Sequence, residues 1–283
     1  MMKLAIWPES PDHDELLRWE ALLGRRLMYR ERGGRGKLDT QLLKRPEDFL
    51  GRAGTFDLQS RVGTGESGTL RPVPFQDIID GLYDDVLEQY AVQMAALGPD
   101  FKHYIEFQSE CNVVSPQQPG PTWNTGGPEA LRYVYGFWRE VIARKLVKIG
   151  VSVTSSIFRN GTQAQYLAQP LADRTCDFVG VDGYSHPATD ISRSFEELFA
   201  PAMTYAVSKG VPWAICECGT EEDPDDPAYK ANWFTESLTW LKSLPKASRP
   251  KWVCYTQDEE WNAGTSAASL NAFRAVASSR VWR

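Results

Sequence analysis

Eight times along the chain a short apolar run is followed by a stretch whose apolar residues recur at helical spacing, and this alternation limits the fold more than any other feature. The predicted strands are Leu4–Trp7, Leu27–Arg30, Thr55–Val62, His103–Glu110, Val151–Phe158, Phe178–Tyr184, Pro212–Glu217 and Lys251–Gln257. Helical patterns follow at Asp14–Leu23, Leu42–Leu50, Phe75–Leu97, Glu129–Val147, Gln163–Leu167, Ser194–Lys209, Tyr229–Lys242 and Ala267–Ala277. Strands separated by whole helices are joined by crossovers and therefore pair in parallel, which places the chain in the α/β class. Eight such units in 283 residues predict a single (β/α)8 TIM barrel over residues 1–283, with a doubly wound open sheet as the competing architecture.

A hydrophobic content of 42% is enough to fill one large core. The formal charge of -6 argues against a general nucleic-acid binder, because phosphate binding draws on a basic face. The basic cluster from Arg25 to Lys37 is local; its Arg30, Arg32, Arg35 and Lys37 are expected just past the second strand as a solvated loop. No run approaches the roughly 18 apolar residues of a membrane span, and Pro8 interrupts the start before a signal-peptide core can form. Neither a membrane partner nor export is expected, leaving a cytoplasmic or virion-associated location. The five cysteines, Cys111, Cys176, Cys216, Cys218 and Cys254, are odd in number and lack C-x-x-C spacing, so they read as buried free thiols. His13, His103 and His186 have no metal-ligand spacing, and no metal or organic cofactor is expected.

In such a barrel the chemistry sits at the C-terminal ends of the strands, which directs attention to the residues closing each apolar run. Two carboxylates fall there: Glu110 after the fourth strand and Glu217 after the seventh. Side chains alternate along a strand, so Glu217 is expected in phase with Trp213 and Ile215, with Cys216 and Cys218 on the opposite face toward the helices. Strands four and seven lie across a barrel from each other. Two facing carboxylates suit glycosidic bond cleavage, one ionised as nucleophile and the other protonated to assist the leaving oxygen.

Here the chain resembles a family. Glu110 in Phe107–Asn112 and Glu217 in Pro212–Gly219 look like the acid/base and the nucleophile of the retaining (β/α)8 glycoside hydrolases with glutamates on strands four and seven, and most of all the mannanase-like glycoside hydrolase family 26. That family's fourth strand ends in His-Glu-Met-Asn, matched in part by Ser109-Glu110-Cys111-Asn112, with a tryptophan further on that Trp123 supplies. An aspartate before the sixth strand and a tyrosine near its end are met by Asp177 and Tyr184. The resemblance implies that Tyr184 hydrogen-bonds Glu217. It also implies a carbohydrate substrate, double displacement, and an endo-β-glycanase activity. Ser109 and Glu106 replace the family's usual histidine and arginine, positions that shape the sugar site, so mannan specificity is not implied.

Trp7, Trp123, Tyr184, Tyr255 and Trp261 each fall at or just past a strand end, where a flat face can stack on a sugar. Trp261, in the polar loop Asp258–Asn262, has the least reason to be there for packing. Asp182 and Asn112 are expected to bond substrate or orient the glutamates. Gly63–Gly68 fits a dinucleotide-binding pattern, but Pro72 and Pro74 deny it the following helix, so it is expected to be a loop over the barrel mouth. A non-catalytic carbohydrate-binding barrel, such as a phage tail-associated recognition protein, is the alternative to an enzyme.

Overall fold

The structure, a computed structural model, describes residues 2–8, 13–30, 53–58, 61–64, 69–96, 103–113, 122–141, 147–189 and 191–282. In chain order its elements are β1 (Lys3–Pro8), α1 (His13–Leu23), β2 (Met28–Arg30), β3 (Gly54–Leu58), β4 (Arg61–Thr64), β5 (Thr69–Pro72), α2 (Phe75–Ile79), α3 (Asp84–Ala96), β6 (His103–Phe107), α4 (Gly127–Val141), β7 (Val147–Thr154), α5 (Ser156–Arg159), α6 (Ala164–Ala172), β8 (Phe178–Ser185), α7 (Phe195–Lys209), β9 (Trp213–Thr220), α8 (Tyr229–Ser243), β10 (Trp252–Gln257) and α9 (Ala267–Ala277). Each of the eight predicted strands has a counterpart, and β4 and β5 are additional. Leu42–Leu50, Arg32, Arg35 and Lys37 lie outside the described residues.

The chain divides into two compact units, Met1–Arg30 with Val181–Arg283, and Glu31–Gly180. In the first, β1 pairs in parallel with β10 and with β2, and β10 pairs in parallel with β9. Ser194 starts α7 with a capping box: its hydroxyl accepts from Glu197 N while the Glu197 carboxylate accepts from Ser194 N, so two otherwise unpaired helix-end donors are satisfied. The core between these strands and helices is aromatic. Tyr255, Phe195, Trp233, Phe234 and Phe273 have ring centroids 5.1 to 6.4 Å apart in successive pairs.

In the second unit β6 pairs in parallel with β3 and with β7. Asp177 joins α4 to β7 there, accepting from Arg139, from Lys148 and from the backbone N of Ile149. The buried indole of Trp138 donates to Leu87 O at 2.8 Å, tying α4 to α3.

Departures from the predicted elements have local causes. The third strand stops at Leu58; Val62 belongs instead to an antiparallel hairpin, β4 against β5, in register Gly63↔Leu70 and Thr64↔Thr69. Gly63 and Thr64 of the glycine-rich run are thus strand residues, residues 65–68 lie outside the described residues, and β5 rather than a helix comes next among the described residues. The predicted helix Phe75–Leu97 breaks between α2 and α3, where Gly81 takes φ +78°, a conformation that interrupts a helix and suits glycine. The fifth strand starts earlier and ends at Thr154, since Ser155–Phe158 turn into α5. All five cysteines are buried thiols outside any disulfide. Burial pushes the Cys176 thiol up to about 12, so it stays a neutral packing group. No helix among the described residues is long and apolar enough to cross a membrane.

Candidate active site

β9 is buried along its whole length and runs three residues beyond Glu217, so this carboxylate stands within a strand rather than after one. Its direction comes from a bulge. On β10, Val253 and Tyr255 are two residues apart; their partners on β9, Ile215 and Cys218, are three apart. An extra residue in one strand resets the alternation and re-aims the side chains on either side of it. Cys218, in register with Tyr255, takes the helix side as expected and reaches Cys254 O at 3.3 Å, whereas Cys216 Sγ lies within 4.8 Å of an Asp182 carboxylate oxygen. The two cysteines do not share a face, which corrects the simple alternation.

Glu217 keeps only 8% of its surface exposed. The Tyr184 hydroxyl donates to Glu217 Oε2 at 2.8 Å and also lies 2.8 Å from Thr256 Oγ1. A phenol has one proton, and an ionised carboxylate can only accept, so Thr256 donates to Tyr184 and the three groups form a directed chain ending on Glu217. Burial first, then the neighbouring Glu217 charge, push Tyr184 well above the ordinary tyrosine value, and it remains a donor throughout the physiological range. Asp182, two residues back on β8 and 1% exposed, adds its charge to the same effect.

Trp261 closes one side. It ends a tight turn, Glu259–Trp261, with its N–H on Asp258 O at 2.8 Å. Its ring is 4.6 Å from that of Tyr184 and 4.9 Å, edge-on, from that of His186. Gly219 makes room for this: a Cβ there would sit 3.2 Å from Trp261 and 3.3 Å from Tyr184. Trp7, half-buried on β1, pairs in register with Thr256, and parallel partners point to the same face. Tyr184, Asp182, Glu217 and Trp261 are therefore brought together in the first unit, with Trp7 on the sheet face that Thr256 shares.

Tyr255 is not part of that group. It is wholly buried, its hydroxyl is 2.8 Å from Ser237 Oγ on α8, and its ring is packed among Phe195, Trp233, Phe234 and Phe273. As the neighbour of Thr256 on a strand buried on both faces, it points the other way, into the layer between sheet and helices.

The second unit carries Glu110. β6 ends at Phe107, and the backbone then enters the left-handed region at Gln108 (φ +54°) and at Glu110 itself (φ +50°). Non-glycine residues in that region store roughly 1–3 kcal/mol each and persist where the surroundings hold them. The holding bonds are Gln108 N to Leu58 O at 2.7 Å, Cys111 N to Ser152 O at 3.2 Å and Val113 N to Glu110 O at 2.7 Å. Asn112 completes the clamp: its Nδ2 donates to Thr154 Oγ1 and its Oδ1 accepts from Thr154 N, both at 2.8 Å. Both ends of its amide are engaged with β7, so Asn112 orients the Glu110 turn. Glu110 is part-exposed. Glu106, by contrast, is fully buried and accepts from Thr55 Oγ1 at 2.5 Å, and the strand alternation that would relate it to Glu110 is lost in the turn.

Trp123 is 2% exposed, packed on Phe75 and Phe107, and pressed so closely on Gly127 that a Cβ there would meet its ring at 2.5 Å. It is a core residue in this structure and offers no face to a sugar.

Three contributors were missed by the sequence reading. Thr256 was legible only as the alternate neighbour of Tyr255. His186, whose Nδ1 is 2.9 Å from Glu221 Oε1, follows Tyr184 at the spacing of one strand face. Lys230 carried no signal beyond a helical position.

No protein-family model matches the chain, and no curated protein matches it by sequence. Its fold is nevertheless similar to solved glycoside hydrolase structures. A modular endo-β-1,4-mannanase of family 26 from Cellulomonas fimi matches over 82% of this chain at 18% identity with a TM-score of 0.57, and the matched part is 55% of that protein. A family 26 protein, GH26C from a Muricauda species, matches over all of this chain and 86% of its own length, at 12% identity and a TM-score of 0.65. A family 128 endo-β-1,3-glucanase from Amycolatopsis mediterranei, solved with laminaritriose, matches over 98% of this chain and all of its own length, at 13% identity and a TM-score of 0.55. The chain thus spans about half the length of the mannanase it matches, and at these identities the likeness establishes the fold.

Proposed function

We propose that the chain is one (β/α)8 catalytic domain that cleaves a polysaccharide glycosidic bond with retention, acting as an endo-β-glycanase. The observation that carries this reading is the bulged strand β9, which turns a buried glutamate onto a tyrosine donor beside a part-exposed tryptophan. In the proposed reaction Glu217 attacks the anomeric carbon while the Glu110 carboxyl gives its proton to the departing oxygen. Water then attacks the glycosyl-enzyme, its proton passing to the Glu110 carboxylate, and Glu217 leaves as the free carboxylate. Tyr184 offers its hydrogen to the anionic form of Glu217 and so holds the attacking oxygen in one place. Trp7 and Trp261 face the sugar rings, and Asp182 supports Tyr184. This chemistry needs no metal or organic cofactor.

The structural neighbours act on mannan in one case and on a β-1,3-glucan in another, which supports a β-linked glycan and leaves the linkage to experiment. The purified chain should be offered mannan, xylan, β-1,3-glucan, mixed-linkage glucan and chitosan, with binding and released reducing ends measured side by side. Release from at least one, lost in Glu217→Gln, supports the proposal. Binding without release from any would make the chain a recognition barrel instead, and neither would remove the carbohydrate reading.

A further inference from the structure

Lys230, in the first turn of α8, has no exposed surface, although an ammonium is among the costliest groups to take out of water. Two of its donors are matched: Nζ gives one hydrogen to Glu260 O at 2.5 Å and one to Thr265 Oγ1 at 3.0 Å. Both acceptors flank Trp261, Glu260 directly before it and Thr265 four residues after. The Thr265 hydroxyl passes its own hydrogen to Glu222 Oε1 at 2.6 Å, and Ser269 Oγ on α9 donates to the same oxygen at 2.9 Å. The ammonium and the Glu222 carboxylate thus pull on the Trp261 turn from two sides through one shared hydroxyl. The charged groups facing Lys230 are Glu222 and Glu221 after β9 and Glu260 on the turn, Glu221 being bonded in turn to His186.

We infer that Lys230 is a positioning residue for Trp261: its buried ammonium ties the 258–265 turn to α8 and thereby sets the ring against Tyr184 and the affinity of the surface beside Glu217. The placement of the ring stands by itself; the consequence for glycan affinity rests on the glycanase reading. An ammonium attracts Glu222 and carries three donors, whereas a neutral amine carries two and no charge, so the tie slackens when the proton leaves. Burial brings Lys230 down to about 8, against the opposing pull of Glu222, Glu260 and Glu221. The turn is therefore titratable near pH 8.

The test uses the full chain labelled with 5-fluorotryptophan, the Trp261 resonance being assigned by its loss in Trp261→Phe. Followed by 19F NMR from about pH 6.5 to about pH 10, that resonance is expected to move with a midpoint near 8, in wild type and in His186→Asn alike. In Lys230→Met it should be pH-independent and lie near the wild-type alkaline position. If Lys230→Met does not fold, Thr265→Ala serves, since cutting the link to Glu222 should move the midpoint down. A resonance flat with pH in wild type, a midpoint that survives Lys230→Met, or one unmoved by Thr265→Ala overturns the inference. On a glycan the wild type cleaves, Lys230→Met should raise KM about 10-fold and leave kcat within about 2-fold. If the wild type cleaves nothing, the fluorine result still decides the positioning role.

Discussion

The two candidate carboxylates are held in opposite ways. Glu217 lies inside a fully buried strand, at a bulge, with a tyrosine hydroxyl on one oxygen and 8% of its surface exposed. Glu110 lies three residues past the end of its strand, in a turn with two left-handed residues, part-exposed and held through its backbone and through the Asn112 amide. The difference fits the division of labour proposed for them. A nucleophile must stay ionised and fixed, which a rigid strand and a dedicated donor provide. A group that gives a proton and later takes one must change charge in each cycle, and contact with water makes both states accessible.

That comparison can be broken most sharply by removing each carboxylate. Glu217→Gln should lower turnover by roughly 10⁴-fold or more while the circular dichroism spectrum and melting temperature stay close to wild type. Glu110→Ala should cost roughly 10²- to 10⁴-fold on a polysaccharide, and much less on an aryl glycoside whose leaving group needs no proton. Equal losses on both substrates would take Glu110 out of the acid role. Tyr184→Phe removes one hydrogen bond to a charged group, worth about 1.5–3 kcal/mol, so kcat should fall roughly 10- to 100-fold. Because burial and the Glu217 charge keep Tyr184 protonated, that loss should be the same at about pH 6 and about pH 9; a loss that vanishes at the higher pH would mean that the tyrosine titrates. The smallest change is expected from Tyr255→Phe, which loses the bond to Ser237: stability falls by about 1 kcal/mol and KM does not move.

This last prediction marks where the sequence was readable and where it was not. The boundaries of α9 and of β10 were legible to within a residue, because their apolar periodicity is strong and their ends are marked by Ser266 at the helix start and Pro250 before the strand. The pairing of Tyr184 with Glu217 followed from the family resemblance of a few short motifs. Which face a strand residue takes was not legible, since both faces of a parallel strand are apolar and the period-two signal disappears. Tyr255 was placed at the site for that reason, since nearness to a strand end gives position along the strand but not direction; Trp123, well past the end of β6, was placed there in part by the family motif. The bulge in β9 and the left-handed turn at Glu110 are likewise silent, as neither carries a glycine or proline at the decisive residue. Lys230 is the extreme case, an ordinary helical lysine in the sequence and a fully buried cation in the fold.

The central claim is that Glu110 and Glu217 act on one sugar from opposite sides, and the direct measurement is the separation of their carboxyl groups in a crystal structure of the wild-type chain. The account predicts about 5–5.5 Å, the spacing for a covalent glycosyl-enzyme. A separation of about 6.5 Å or more, or a Glu110 carboxyl turned away from Glu217, would contradict the retaining mechanism.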